Sequence, residues 1–205
     1  MTFVYSGKLR SRTGSESLKR LTTNGSKLPL IMINNIEHLK VKKMDAQQLH
    51  DHIIKPTLQY MGGNYDSKDA RFLLLCTAAI ESKCGYYIKQ INGPALGIWQ
   101  MEPATHDDIF HNCDALYFEG GEIKKFLCSL TLFGCSGFAL TQAPMYACAM
   151  ARLKYSMDKE PLPDRHDIKA VYDYYKRIYN TPAGASTYEK FCSALANCKI
   201  EQVKL

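Results

Sequence analysis

At 205 residues, with 46% hydrophobic and 22% charged side chains, the chain has the size and apolar content for one ordinary core plus an appendage, and it needs no second folded domain. It has no run of about eighteen apolar residues, which excludes a membrane-spanning helix. Its net charge of +6 is confined to one end. Residues 1–43 carry nine Lys or Arg against Glu16 and Glu37, whereas the remaining 162 carry 17 basic against 18 acidic residues.

Residues 1–43 include GKLRSRTGSESLKRLTTNGSK, rich in Ser, Thr, Gly and Asn, with no hydrophobic period long enough to fold alone. They read as a basic, extended N-terminal arm. Three uses fit such an arm: a solubilising leader, a hold on polyanionic cell wall or nucleic acid, or a segment threaded into a partner of a larger assembly. The reading taken is the assembly one, without specific nucleic-acid recognition. The run LPLIMI at 28–33 is shorter than a signal-peptide core and set too deep, so the expectation is synthesis in a cytoplasm without an export signal.

Residues 44–205 read as one domain. Asp45 opens DAQQLHDHIIKPTLQYM, an amphipathic helix that Pro56 should kink or end, with Gly62 and Gly63 terminating the segment. Ser67 is the N-cap expected for a helix carrying FLLLCTAAI, Phe72 to Ile80, and ending at Glu81. YIKQI at 87–91 is the one β-like stretch. Helices follow over 101–112 with Pro103 in the first turn, over 122–133, and over 141–157 with Pro144 in the first turn and a stripe of Ala147, Met150, Ala151 and Leu153. Pro161 and Pro163 mark a loop; Asp164 or Asp167 then caps a helix to Tyr179, and 187–197 is the last. The tyrosines of VYDYYKRIY, 171–179, read as half-buried core rather than a sugar-stacking face. No internal repeat occurs. The fold class is mainly α, with at most a small β-hairpin.

The chemistry centres on Glu81. A carboxylate at the C-terminal edge of an apolar helix meets the negative end of the helix dipole and partial burial. Both disfavour its charged form and make it a proton donor. Gly93, Pro94 and Gly97 then form a turn of close backbone approach, followed without an intervening charge by Trp99 and Gln100, the pattern of a cleft wall. Glu102, before Pro103, is either a helix N-cap acid or, with Asp107, a candidate second carboxylate.

AAIES at 78–82, GPALGIWQMEPAT at 93–105 and RIYNTPAG at 177–184 together resemble the three ordered motifs of lysozyme-like lytic transglycosylases. The longer strings GPALGIWQMEPATHDDI and YNTPAG are similar to those of small lysozyme-like proteins of tailed bacteriophages. The resemblance covers about residues 45 to 195 and implies a lysozyme-like fold that cleaves the β-1,4 bond between N-acetylmuramic acid and N-acetylglucosamine in peptidoglycan glycan strands.

It further implies Glu81 as general acid with Ser82 beside it among the substrate-binding residues, and Gln100 and the backbone near Gly97 as glycan holders; Tyr146, as an aromatic outside the motifs, reads either as core or as a further substrate-binding residue. Tyr179 would orient Glu81 and Asn180 would contact sugar or backbone. In that family one Glu suffices, because the substrate's own 6-hydroxyl closes on the anomeric carbon. The chain departs from the family at Glu102 and at the Asp107–Asp108 pair, which leaves hydrolysis open. In a phage the arm's partner would be a tail or baseplate protein, placing the chain in the virion. The alternatives are a structural virion component with an inactive fold, and a free endolysin.

Eight cysteines allow four disulfides, but Cys76 and Cys148 lie in apolar helical patterns and no CxxC pair occurs. The reading is reduced thiols, the alternative being a Cys128–Cys135 or Cys192–Cys198 pair formed outside a cell. His50, His52, His106 and His111 lack metal-ligand spacing, so neither metal nor cofactor is expected.

Overall fold

A computed structural model describes residues 44–118, 121–132, 134–181 and 184–205. The basic arm expected at 1–43 lies outside the described residues. The domain is mainly helical, with no strand among the described residues; Lys89 of the β-like stretch makes a single bridge to Leu96, and Leu96 another to Met101. No described helix is long and apolar enough to cross a membrane.

The elements are α1 (Ala46–Leu49), a π turn (His50–Ile54), α2 (Lys55–Met61), α3 (Lys68–Ser82), α4 (Pro103–Asn112), α5 (Glu122–Ser129), α6 (Ala139–Gln142), α7 (Pro144–Ser156), α8 (Ile168–Tyr175), a second π turn (Lys176–Asn180) and α9 (Tyr188–Cys198). Pro56 disturbs its helix but does not end it, and the segment runs on to Met61. The preceding turn widens to π geometry, with Lys55 N–H donating to the His50 carbonyl, which makes room for a residue that has no N–H and a bulky ring. Thr57 Oγ1 donates to the Ile53 carbonyl at 2.6 Å, satisfying an acceptor in the disturbed ladder.

α3 and α7 form the centre. α3 starts at Ser67, whose Oγ accepts from Ala70 N–H at 3.0 Å, and buries Phe72 through Ala79 on all sides. Each fully buried leucine in it contributes about 2 kcal/mol of apolar transfer free energy, so Leu73, Leu74 and Leu75 outweigh a single cap of about 1 kcal/mol. α3 packs against α9 and α7, the latter buried from Tyr146 through Leu153 and again at Tyr155. Pro144 begins α7 at its first position, splitting the helix expected over 141–157 into α6 and α7. Asp167, not Asp164, caps α8 through a bond from Ala170 N–H at 2.9 Å; Asp164 instead accepts from His166 N–H in a turn. α5 stops at Ser129, short of residue 133.

The tyrosines of α8 are core, as their spacing suggests. Tyr174 and Tyr175 are buried, Tyr155 stacks on Tyr174 and Tyr179 at 5.7 and 5.3 Å, and Tyr175 stacks on Phe191 at 5.5 Å.

Candidate functional site

α3 leaves the core at its last turn. Lys83 takes a left-handed conformation (φ 54°), and its N–H and that of Cys84 close on the carbonyls of Ala78 and Ala79. This cap ends the helix immediately after Ile80 and Glu81, which face a cleft of about 650 Å³. Gln90, Gln100, Glu102, Thr105, Lys154, Tyr175, Tyr179, Asn180 and Lys190 also line it.

Glu81 is the half-buried carboxyl of this cleft. Tyr175 Oη donates to Glu81 Oε1 at 2.6 Å, and Oε2 has no partner among the described residues. Burial raises the carboxyl above its ordinary value of 4.5, and the tyrosine bond, which favours the charged form, offsets part of that rise. Such a group holds a proton at pH values where an ordinary Glu has lost it, and it presents one free oxygen to the cleft.

The wall opposite is the 93–101 turn. Trp99 is buried and its indole N–H donates to the Leu74 carbonyl at 3.0 Å, which fixes the turn to α3. Tyr179 Oη donates to the Trp99 carbonyl at 2.9 Å, fixing it again to the second π turn. Gln100 adopts φ 45°, a strained conformation for a residue with a side chain, and its Nε2 donates to the Gly97 carbonyl at 2.7 Å, leaving Oε1 and the second Nε2 hydrogen to offer to a ligand. Backbone strain concentrated in a cleft wall accords with a ligand-holding role.

Several expected site residues stand elsewhere. Tyr179 does not orient Glu81; Tyr175, one turn earlier, does, and Tyr179 holds the Trp99 carbonyl. Gly97 lies beneath the turn. Its φ is 75°, a Cβ on it would come 2.3 Å from the Leu140 carbonyl oxygen, and its own N–H is bonded to the Ile88 carbonyl, so its backbone does not face the cleft. Ser82 is fully buried: its Oγ donates to the Ala78 carbonyl and accepts from Gly85 N–H, closing the α3 cap. Tyr146 is buried in α7 against His106 Nε2 at 2.7 Å, away from the cleft lining.

Of the two candidate second carboxylates, Asp107 pairs with His106 Nδ1 at 2.9 Å on a face outside the cleft. Glu102 does line the cleft. Its backbone occupies the N-cap position of α4, but its side chain makes no capping bond there. Asn180 lines the cleft too, with Oδ1 accepting from Lys176 Nζ at 2.8 Å, so its amide nitrogen remains to donate.

Sequence reasoning missed Tyr175, Gln90, Lys154 and Lys190. Tyr175 had a visible signal, as the tyrosine four residues before Tyr179 on the same helical face. The two lysines come from α7 and α9, outside the three motifs, and nothing local marks them.

Among the described residues no group of three His, Cys, Asp or Glu side chains could hold a metal ion. Comparison with family models, curated proteins and solved structures finds no match to this chain.

Proposed function

We propose that the chain is a peptidoglycan-cleaving glycosidase of lysozyme-like fold, acting on the β-1,4 bond between N-acetylmuramic acid and N-acetylglucosamine by the lytic transglycosylase route. One observation carries the reading. Glu81, protonated above the ordinary range and held by Tyr175, faces a cleft large enough for sugar residues and lined by amide and hydroxyl groups.

The chemistry follows from that geometry. Glu81 donates its proton to the glycosidic oxygen as the bond to the anomeric carbon breaks, and the carboxylate so formed is stabilised by the Tyr175 hydroxyl. The same carboxylate then takes the proton of the 6-hydroxyl as that oxygen closes on the anomeric carbon, giving an anhydro product and restoring the acid. Gln100 Oε1 and the Asn180 amide are suited to the N-acetyl and hydroxyl groups of the strand. Glu102, on the same cleft, supports a second reading in which it activates water and the reaction is hydrolytic.

The strings shared in likeness with phage lysozyme-like proteins extend the proposal to a virion enzyme, docked on a tail or baseplate protein through residues 1–43. The primary test is mass spectrometry of the soluble products of purified peptidoglycan digested with wild type and with Glu81→Gln. Anhydromuropeptides from wild type, falling about 10²-fold or more in the variant, are expected. Reducing-end products would move the assignment to hydrolysis, and no products from wild type would leave a structural protein. Mass spectrometry of purified particles tests the virion location.

A further inference from the structure

The cysteines divide into two kinds. Cys76, Cys84, Cys113 and Cys148 are buried in the core, where they pack as small hydrophobes. Cys128, in the last turn of α5, is exposed, and Cys135, in the segment leading to α6, is half-buried; their sulfurs lie 3.2 Å apart.

Two features make this contact a site. A disulfide bond is about 2.05 Å long, so closing it asks for about 1 Å of sulfur movement, within reach of side-chain rotation. Described residues between the two already turn: the Cys128 carbonyl accepts from both the N–H and the Oγ1 of Thr131, and Gly134 adopts φ 85° with nothing within 4 Å of where a Cβ would stand. No third His, Cys, Asp or Glu among the described residues completes a metal set there. The other pair singled out in the sequence fails on geometry. Cys192 and Cys198 both lie in α9, six residues or about 9 Å of helix apart, beyond the Cα separation a disulfide spans.

The segment has a structural task. After Cys135, the Ser136 carbonyl accepts from Ala139 N–H to start α6, and the Leu140 carbonyl of α6 occupies the space that a side chain on Gly97 would need. The 128–135 turn therefore leads directly into the support of the cleft wall.

We propose that Cys128 and Cys135 are a disulfide-forming pair, oxidised by a low-molecular-weight disulfide such as oxidised glutathione, and that the bond fastens the α5–α6 segment behind the Gly97 turn. The exposed Cys128 thiolate attacks one sulfur of the small disulfide, forming a mixed disulfide and releasing one small thiolate. The Cys135 thiolate then attacks Cys128 Sγ, the intrachain bond forms and the second small thiolate leaves. The protein gives up two electrons and two protons, and the oxidant becomes two thiols. Exposure sets the order: Cys128 is reached first by the small disulfide, and the half-buried Cys135 beside it resolves the mixed disulfide. The inference is independent of the reaction at Glu81.

The test uses the full chain, equilibrated with oxidised glutathione or with dithiothreitol, quenched, alkylated and cut with trypsin. The peptide 126–152 carries Cys128, Cys135 and Cys148. The expected result is three alkyl groups on the reduced peptide and one, on Cys148, after oxidation, with a melting temperature about 5 °C higher for oxidised wild type. Cys128→Ser should show no oxidant-dependent change in melting temperature. Three alkyl groups after oxidation, a glutathione adduct that persists on Cys128, or a bond from either residue to another cysteine or another chain would overturn the proposal.

Discussion

Tyr175 Oη reaches Glu81 Oε1 at 2.6 Å across 94 residues of sequence, and this bond couples the end of α3 to the end of α8 at the floor of the cleft. Burial and the hydroxyl pull the Glu81 proton affinity in opposite directions, and burial prevails. Substitution of the tyrosine therefore has a signed consequence. Tyr175→Phe keeps the ring against Phe191 but withdraws the donor that favours the carboxylate, so the Glu81 pKa rises further.

The alkaline limb of the kcat/KM profile, set by loss of the acid's proton, should then move to higher pH, while kcat falls about 10-fold or more. Tyr179→Phe, which loses the bond to the Trp99 carbonyl, should leave that limb in place and cost about 1 kcal/mol of stability. A profile that moved with Tyr179→Phe and stayed with Tyr175→Phe would reverse the two roles.

Stability against pH gives a second check on Glu81. Its pKa is raised on folding, so the folded state binds the proton more tightly than the unfolded state. Its contribution is fully present below about 4.5 and is lost as pH rises through the folded value. Glu81→Gln cannot ionise, so wild type and variant should differ least at acid pH, with the variant gaining relative stability as pH rises past 4.5. Denaturant titrations at several pH values measure this, and a difference independent of pH would refute the buried-acid assignment.

Gly97 and Gly121 both have positive φ, 75° and 72°, but different surroundings. Gly121→Ala meets nothing closer than 3.6 Å and should cost about 1 kcal/mol for its left-handed backbone conformation alone. Gly97→Ala adds a methyl 2.3 Å from the Leu140 carbonyl oxygen, a backbone atom that cannot swing aside, so the cost should reach about 3 kcal/mol with loss of activity. Equal losses in chemical denaturation would mean that the close approach has no energetic weight.

Glu102 separates the two routes of bond cleavage. If Glu81 works alone, Glu102→Gln should change the rate by less than about 10-fold and leave anhydro products unchanged. If Glu102 activates water, the loss should be about 10²-fold or more. Rates and product masses from the same digest distinguish them.

Local pattern carried much of the fold. Ser67 at a cap, the unbroken apolar run of α3, Pro103 and Pro144 at first helical positions and Asp167 before α8 each declare themselves through short-range bonds and dihedral preference. Pro56, expected to kink or end its helix, does not end it, because the turn before it widens to π and the helix then runs on to Met61. Ser82 sits inside the core because the cap after α3 turns its hydroxyl onto Ala78 and Gly85, and Tyr146 because the packing of α7 buries its ring.

Glu81 at the end of a buried helix, with a strained glycine-containing turn to follow, was legible in the sequence because burial and helix polarity act within a few residues of the group they perturb. The tyrosine that bonds it, the carbonyl that demands glycine at 97 and the lysines that complete the cleft were not. Tyr175, Leu140, Lys154 and Lys190 reach the site from α6, α7, α8 and α9, and their arrival depends on how helices pack and where π turns shift their faces, interactions that no local sequence window contains.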